Sequence, residues 1–509
     1  MTKYKSMIAK KLKLGILITI AIIGSFSAFS AEYNIKNFGA VGDGTTLNTK
    51  SIQAAIDKAS GNGGGRVIVP AGNFLSGCLT IKSGVELHLE KDAVILGSTS
   101  PFDYLSGDKL LHFINAQNAS NIGITGLGTI DGRGRMLALT IDSLFFAGKW
   151  EDPGYNYRRH RPERRPKLLY FTQCKNLVLD GFTARRSASW VLDFDRCVNM
   201  TIHKVTVDSD DYWNNDGMDI GDCRNVQITD CYINSADDGI CLKSHHPDAM
   251  NDSIYVANCT VRSSASAIKF GTASHGGFKN VKIENIYIFD TFRSAIALES
   301  VDGGILENIE IKDITANNTG NAIFIKLGHR NMDGKVGTLK NVKISNVVVQ
   351  VPFGAPDLKY EIRGPELAFF HNTFPASISG LPDHDVENVS LENIRIIYPG
   401  RANNGYAHLP VHRLNDVPEN ESQYPEFSMF GELPSWGFYV RHVKGLSMKN
   451  ISLKVEDYDF RPAFVFDDVK NLEMKQIKVE DKKKTQQVIF RNVTNPTFDF
   501  SENEIKKVE

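Results

Sequence analysis

Net charge is almost absent from this chain, since 58 lysines and arginines stand against 59 aspartates and glutamates, a formal balance of −1 at pH 7. That rules out a whole-surface basic footprint for nucleic acid, and any charged ligand has to be met by local groups. Long apolar runs are missing beyond the first residues, so no later segment is suited to span a bilayer. Cysteine is scarce and odd in number. The seven, Cys78, Cys174, Cys197, Cys223, Cys231, Cys241 and Cys259, lack paired metal-ligand spacing, which argues against a closed disulfide framework and against a zinc site. Most of them read as small buried hydrophobes. Helical periodicity is nearly absent too, and two-residue hairpin turns are few, which argues against a propeller or an antiparallel sandwich.

The start of the chain, "MTKYKSMIAKKLKLGILITIAIIGSFSAFSAEY", is lysine-rich, then apolar from Leu14 to about Ile23, then built of small residues before Glu32. Residues 1–31 therefore read as a secretory signal peptide. The mature chain, 32–509, is expected to be secreted or periplasmic, with no membrane contact after cleavage.

What fills the rest is a repeat. Cys174-Lys175-Asn176-Leu177, Cys197-Val198-Asn199-Met200 and Cys223-Arg224-Asn225-Val226 each open a short alternating strand, and the x-Asn-apolar start returns at Asn280, Asn308, Asn341 and Asn388. Short strands at a period of 20 to 35 residues predict stacked coils of a parallel β-solenoid. A further strand set reads "VLDF", "MDIG", "ICLK", "IKFG", "IALE" and "IFIK" between 191 and 326. Its alternation predicts one face inside the coil and one outside. The recurring Asn is expected to form a hydrogen-bonded ladder at a bend. One helix, from about Thr49 to Ser60 with Ile52, Ala55, Ile56 and Ala59 on one face, is the natural cap for the open N-terminal end. The Pro-, Gly- and aromatic-rich stretches at about 353–440 read as long loops leaving a single solenoid domain.

Two Asp-Gly-apolar patterns, Asp216-Gly217-Met218 and Asp238-Gly239-Ile240, stand 22 residues apart, and Asp237 adds a carboxylate to the second. At one coil per pattern, Asp216 and Asp238 are stacked at the strand spacing, about 4.8 Å. Asp-Gly is also common turn chemistry. Three carboxylates in two rungs, with Asp193 and Asp219 close by, nevertheless repel one another unless one keeps its proton. A protonated and an ionised carboxylate side by side are what glycoside hydrolysis requires, and an open groove along a solenoid suits an extended polysaccharide.

The entry "FGAVGDG" and its helix, "RPKLLYF" at 165–171, "NNDGMD" at 214–219, "ADDGICLKS" at 236–244 and the Asn repeats together resemble glycoside hydrolase family 28. This is the polygalacturonase family of the right-handed parallel β-helix, pectin-lyase-like superfamily. The resemblance implies an inverting hydrolase of α-glycosidic bonds in pectic chains of galacturonan or rhamnogalacturonan type. It implies Asp237 as acid and Asp216 and Asp238 as the pair that holds water, with Asn215 in the place of the family's Thr and Ala236 in that of its Gly. No cofactor or metal is implied, the partner is a polysaccharide or oligosaccharide, and the chain is expected to act as a monomer.

Two family features are missing. The Gly-His-Gly falls on Ala265-Ser266-Ala267, leaving His275 as the nearest histidine, and the Arg-Ile-Lys that grips a sugar carboxylate falls on Ala297-Leu298-Glu299. Lys243 and Lys269, outward in neighbouring rungs, are expected to read substrate charge instead, beside Glu299 and a basic loop at 157–167. Trp213 and Trp436 are candidate sugar-stacking faces. Two other readings remain: a β-elimination lyase, for which "DSDDYW" at 208–213 offers a Ca²⁺ site, and a non-catalytic glycan-binding solenoid.

Overall fold

Leu177 and Leu179, Met200 and Ile202, and Val226 and Ile228 alternate with polar residues, and in a strand such alternation sends all of them to one face. They lie on the strands Lys175–Asp180, Val198–His203 and Arg224–Thr229. Parallel pairing sets Leu177 beside Met200 and Met200 beside Val226, so each coil repeats the last. All six side chains are buried. The computed structural model describes residues 31–332, 334–357, 372, 374–403, 405, 409–481 and 487–509. Over these the chain is an all-β parallel solenoid with three strands per coil in its central part and one continuous apolar interior. The expected signal peptide at 1–30 and parts of the expected loops, including 358–371, lie outside the described residues. Among those described, no helix is long and apolar enough to cross a membrane.

The bends carry the asparagine ladder. Asn176, Asn199 and Asn225 have φ of 57°, 60° and 55°, a left-handed conformation that asparagine tolerates better than most residues. Asn199 Nδ2 donates to Asn176 Oδ1 at 2.9 Å, and Asn225 Nδ2 to Asn199 Oδ1 at 2.8 Å. The double period before Asn280 is one rung in which Ser253, φ 59°, takes the bend, and Asp252 accepts from Asn280 at 2.8 Å.

The helix Thr49–Gly61 buries Ile52, Ala55, Ile56 and Ala59 against the first strands. A second helix, Gly134–Phe146, was not anticipated. Its sequence, GRMLALTIDSLFF, is apolar nearly all round, so its period is weak; Leu137, Ala138 and Ile141 are buried while Met136, Leu139 and Phe146 are exposed. It opens an insertion at 132–168 that also carries the basic loop.

The third strand column, Leu192–Asp195, Met218–Gly221, Ile240–Ser244 and Ile268–Ser274, positions the site. Its outward face continues through Ala297, Phe324, Tyr439, Val465 and Ile489, and there the loop segment 409–436 packs Leu414, Val417, Phe427, Phe430 and Leu433 onto it as a second apolar cluster. One side of the column is thus covered.

Candidate active site

Met218 pairs with Ile240, so the residues two before each, Asp216 and Asp238, stand one rung apart at the turn that enters the column. Gly217 and Gly239 are required by close approach. A Cβ on Gly217 would meet the Gly239 carbonyl oxygen at 2.6 Å, and one on Gly239 would meet Val261 Cγ1 at 2.5 Å. Any larger residue would push the rungs, and the two aspartates with them, apart.

One oxygen from each of Asp216, Asp237 and Asp238 lies within 4.8 Å of those of the other two. Asp216 and Asp238 are buried and Asp237 is half-buried, so Asp237 is the member that faces solvent. Its Oδ1 accepts the Asp238 backbone N–H at 3.1 Å, and its Oδ2 lies 3.4 Å from Asn214 Nδ2. Asn214 is held by Arg161 and Arg165, the latter Nη2 at 2.8 Å. Both arginines are buried, so the basic loop, expected among the cations that read substrate charge, is partly a brace behind the site.

Asp216 Oδ2 accepts from Lys243 Nζ at 3.0 Å, while its Oδ1 is buried without a hydrogen-bond partner. Lys243 Nζ also lies 2.9 Å from Asp219. Asp238 takes Ser266 N–H on Oδ1 at 3.1 Å and faces Lys269 on Oδ2 at 3.2 Å. Lys269 in turn lies 3.9 Å from Glu299 and donates to the Tyr424 hydroxyl at 3.1 Å. The expectation that Lys243 and Lys269 read substrate charge is therefore revised. Both are buried, and each charge is already shared between two carboxylates. Glu299 is likewise buried and does not present its charge to a substrate. These positions point outward from the coil, but Tyr424 and its loop cover Lys269.

Burial, and after it the neighbouring carboxylates Asp219, Asp237 and Asp238, push Asp216 well above the usual carboxylate range, with Lys243 opposing. Burial likewise raises Asp219 and Glu299 to about 7. Asp238 is held low by Lys269, Lys243 and Arg293 against its own burial. The group as a whole keeps a proton near neutral pH, and its titration belongs to the set rather than to one residue.

Glu299 provides a stability test. Its folded value of about 7 exceeds the ordinary 4.5, so the stability it contributes is present in full below about 4.5 and is lost as pH rises through 7. The melting temperature of Glu299→Gln minus that of the wild type is expected to rise between pH 4.5 and 7. A flat difference across that window contradicts the assigned burial effect.

A cavity of about 450 Å³ is lined by Lys167, Tyr170, Trp190, Asp193 and Arg196 among others, and by none of the three aspartates. Trp190 was not anticipated. Lys167 Nζ stands 4.1 Å and Lys243 Nζ 4.8 Å from its ring centre, and its place two residues before the column strand Leu192–Asp195 is the signal that could have found it. Trp436 is fully buried and serves the interior. Trp213 is half-buried under Arg159, 5.2 Å from its ring centre. His275 is exposed, its backbone N–H bonded to Ser244 O at 3.0 Å, and the described residues give it no hydrogen bond or ion pair with the three aspartates.

Besides the Asp216 group, the described residues contain a set of metal-ligand type at Asp195, Asp222 and His246. Asp222 is already engaged by Ser244 Oγ at 2.6 Å and by the backbone N–H groups of His245 and His246 at 2.8 and 3.0 Å, which makes it a brace for a turn. The carboxylates of Asp208 and Asp210 accept from Asn234 at 2.8 and 3.1 Å rather than gathering into a cation site.

The family model of Glycosyl hydrolases family 28 matches residues 61–351. The chain belongs to that family. A probable polygalacturonase of Vitis vinifera is 26% identical over 347 residues, 64% of this chain and 62% of the relative. An exo-poly-alpha-D-galacturonosidase of Dickeya chrysanthemi is 24% identical over 434 residues, 71% of each. The crystal structure of a hyperthermoactive exopolygalacturonase from Thermotoga maritima superposes with a TM-score of 0.59 at 24% identity, covering 72% of this chain and 87% of that one; at that identity it supports the parallel β-helix fold alone. As a family 28 chain, this one carries alanine, serine and alanine where the resemblance placed Gly-His-Gly. Ala265 and Ala267 are buried and bring no polar side chain to the site.

Proposed function

We propose that the chain is an inverting glycosidase that hydrolyses α-glycosidic bonds of pectic polysaccharide, of galacturonan or rhamnogalacturonan type. One observation carries the reading: three carboxylates whose oxygens lie within 4.8 Å of one another, one facing solvent and two buried. Asp237 gives its proton to the glycosidic oxygen as the C–O bond breaks. A water held between Asp216 and Asp238 attacks the anomeric carbon and passes its proton to that pair. The unpartnered Oδ1 of Asp216 is a ready acceptor for such a water, and Lys269, Lys243 and Arg293 hold Asp238 low. The polygalacturonase names of the relatives favour the same substrate class.

The carboxylate spacing favours the other outcome, since most inverting enzymes hold their two carboxylates roughly 6.5–9.5 Å apart and retaining ones about 5–5.5 Å. What favours inversion here is the third carboxylate, which lets two of them cradle water without a covalent bond to the sugar. The column covered from Ala297 on, with Tyr424 over Lys269 and Glu426 at Arg293, favours attack at chain ends. We infer also a right-handed coil closed at its N-terminal end by the helix Thr49–Gly61, and export directed by residues 1–31.

Chromatography of the products from polygalacturonan is the test. New reducing ends, mainly as short products and without ultraviolet-absorbing unsaturation, are expected. Unsaturated ends would establish a lyase, and no product from any pectic chain would leave a binding solenoid.

A further inference from the structure

Asp237, Ala265 and Arg293 each stand three residues before an isoleucine, and those isoleucines, Ile240, Ile268 and Ile296, pair rung to rung. The three residues therefore share one turn position in successive coils, and the Arg293 N–H donates to Ala265 O at 2.8 Å. Two rungs, about 9.6 Å, separate the Arg293 backbone from that of Asp237. The turn position between them carries the small side chain of Ala265, which is buried. A long side chain at 293 can lean over that position toward the carboxylates, close enough for Arg293 and Asp238 to act on one another's charge.

Arg293 differs from the two lysines of the site. Its side chain keeps 17% of its surface exposed, whereas Lys269 is almost wholly enclosed. Among the described residues its ion pair is with Glu426, Nε to Oε2 at 3.5 Å, and no second carboxylate pairs with it. Asp237 and Asp238 both act on its charge, and it helps to hold Asp238 ionised. A guanidinium presents a planar fork suited to a carboxylate.

We propose that Arg293 binds the carboxylate of the sugar next to the scissile bond, doing from the turn what Ala297 and Glu299 cannot do from the strand. This rests on the reading of the site as a glycosidase for an acidic chain. Arg293 is then a specificity-determining residue, and Glu426 holds its fork in place when no substrate is bound.

The test is calorimetric binding to the Asp237→Asn protein, whose turnover is expected to be slowed about 10²- to 10⁴-fold, using an oligogalacturonide as free acid and as methyl ester. Adding Arg293→Gln is expected to weaken the free acid about ten- to a hundredfold, the size of one hydrogen bond to a charged group. Binding of the ester is expected to be unchanged, which also shows that the double variant is folded. Equal weakening of both forms, or no weakening of the acid, overturns the proposal. A chain that binds the free acid through Arg293 but cleaves no pectic substrate overturns the glycosidase reading alone. One that binds neither form overturns both.

Discussion

Asp237→Asn is expected to lose about 10²- to 10⁴-fold in kcat, the usual contribution of a positioned general acid, while keeping the wild-type melting temperature. The substitution is nearly isosteric, and the amide oxygen can still accept the Asp238 N–H that Asp237 takes at 3.1 Å. The side chain is half-buried at a turn, so no core volume is emptied. What disappears is the only one of the three protons or charges that faces the groove. Kinetics on the best pectic substrate together with thermal unfolding check this. Activity equal to wild type removes Asp237 from the role of acid.

Lys243→Met is expected to cost about 3–5 kcal/mol of stability at pH 8, because it leaves Asp216 and Asp219 buried without their counter-charge. Lys243 Nζ lies 3.0 and 2.9 Å from these two carboxylates, and both are buried. Without the lysine their folded values rise further above the ordinary 3.8. Stability linked to a raised carboxyl is present below the unfolded value and is lost as pH rises through the folded one. Asp219 is already raised to about 7 with the lysine present, so the deficit is expected to be small near pH 4 and to build as pH rises through 7, as read by urea unfolding at pH 4 and 8. An unchanged midpoint, with a raised KM on acidic substrates alone, would return Lys243 to the substrate-reading role that its outward position first suggested.

The carboxylates were legible in the sequence because a solenoid turns spacing into position: 22 residues equal one coil, so Asp216 and Asp238 had to meet. The register of Lys269 beneath Ala297 was legible for the same reason. Burial on the outer face was not. Tyr424 reaches Lys269 from 155 residues along the chain, and no period connects that loop to the rung it covers. Arg293 was passed over because the alternating strand pattern directs attention to positions 297 and 299, while the turn three residues earlier has no such pattern. The helix Gly134–Phe146 was hidden by apolar residues on both faces, and the brace of Arg161 and Arg165 by a run of charge that reads as a basic loop facing the substrate.

The central claim is that Asp237 protonates the leaving oxygen while Asp216 and Asp238 deliver water from the opposite face of the sugar. Proton NMR of the first-formed sugar from an α-linked pectic oligosaccharide, recorded before mutarotation, tests it most directly. The β-anomer is predicted to appear first, with the α-anomer growing only at the rate of mutarotation. Initial release of the α-anomer would instead mean a covalent glycosyl intermediate on one of the three aspartates, as their close spacing would permit, and would contradict the account.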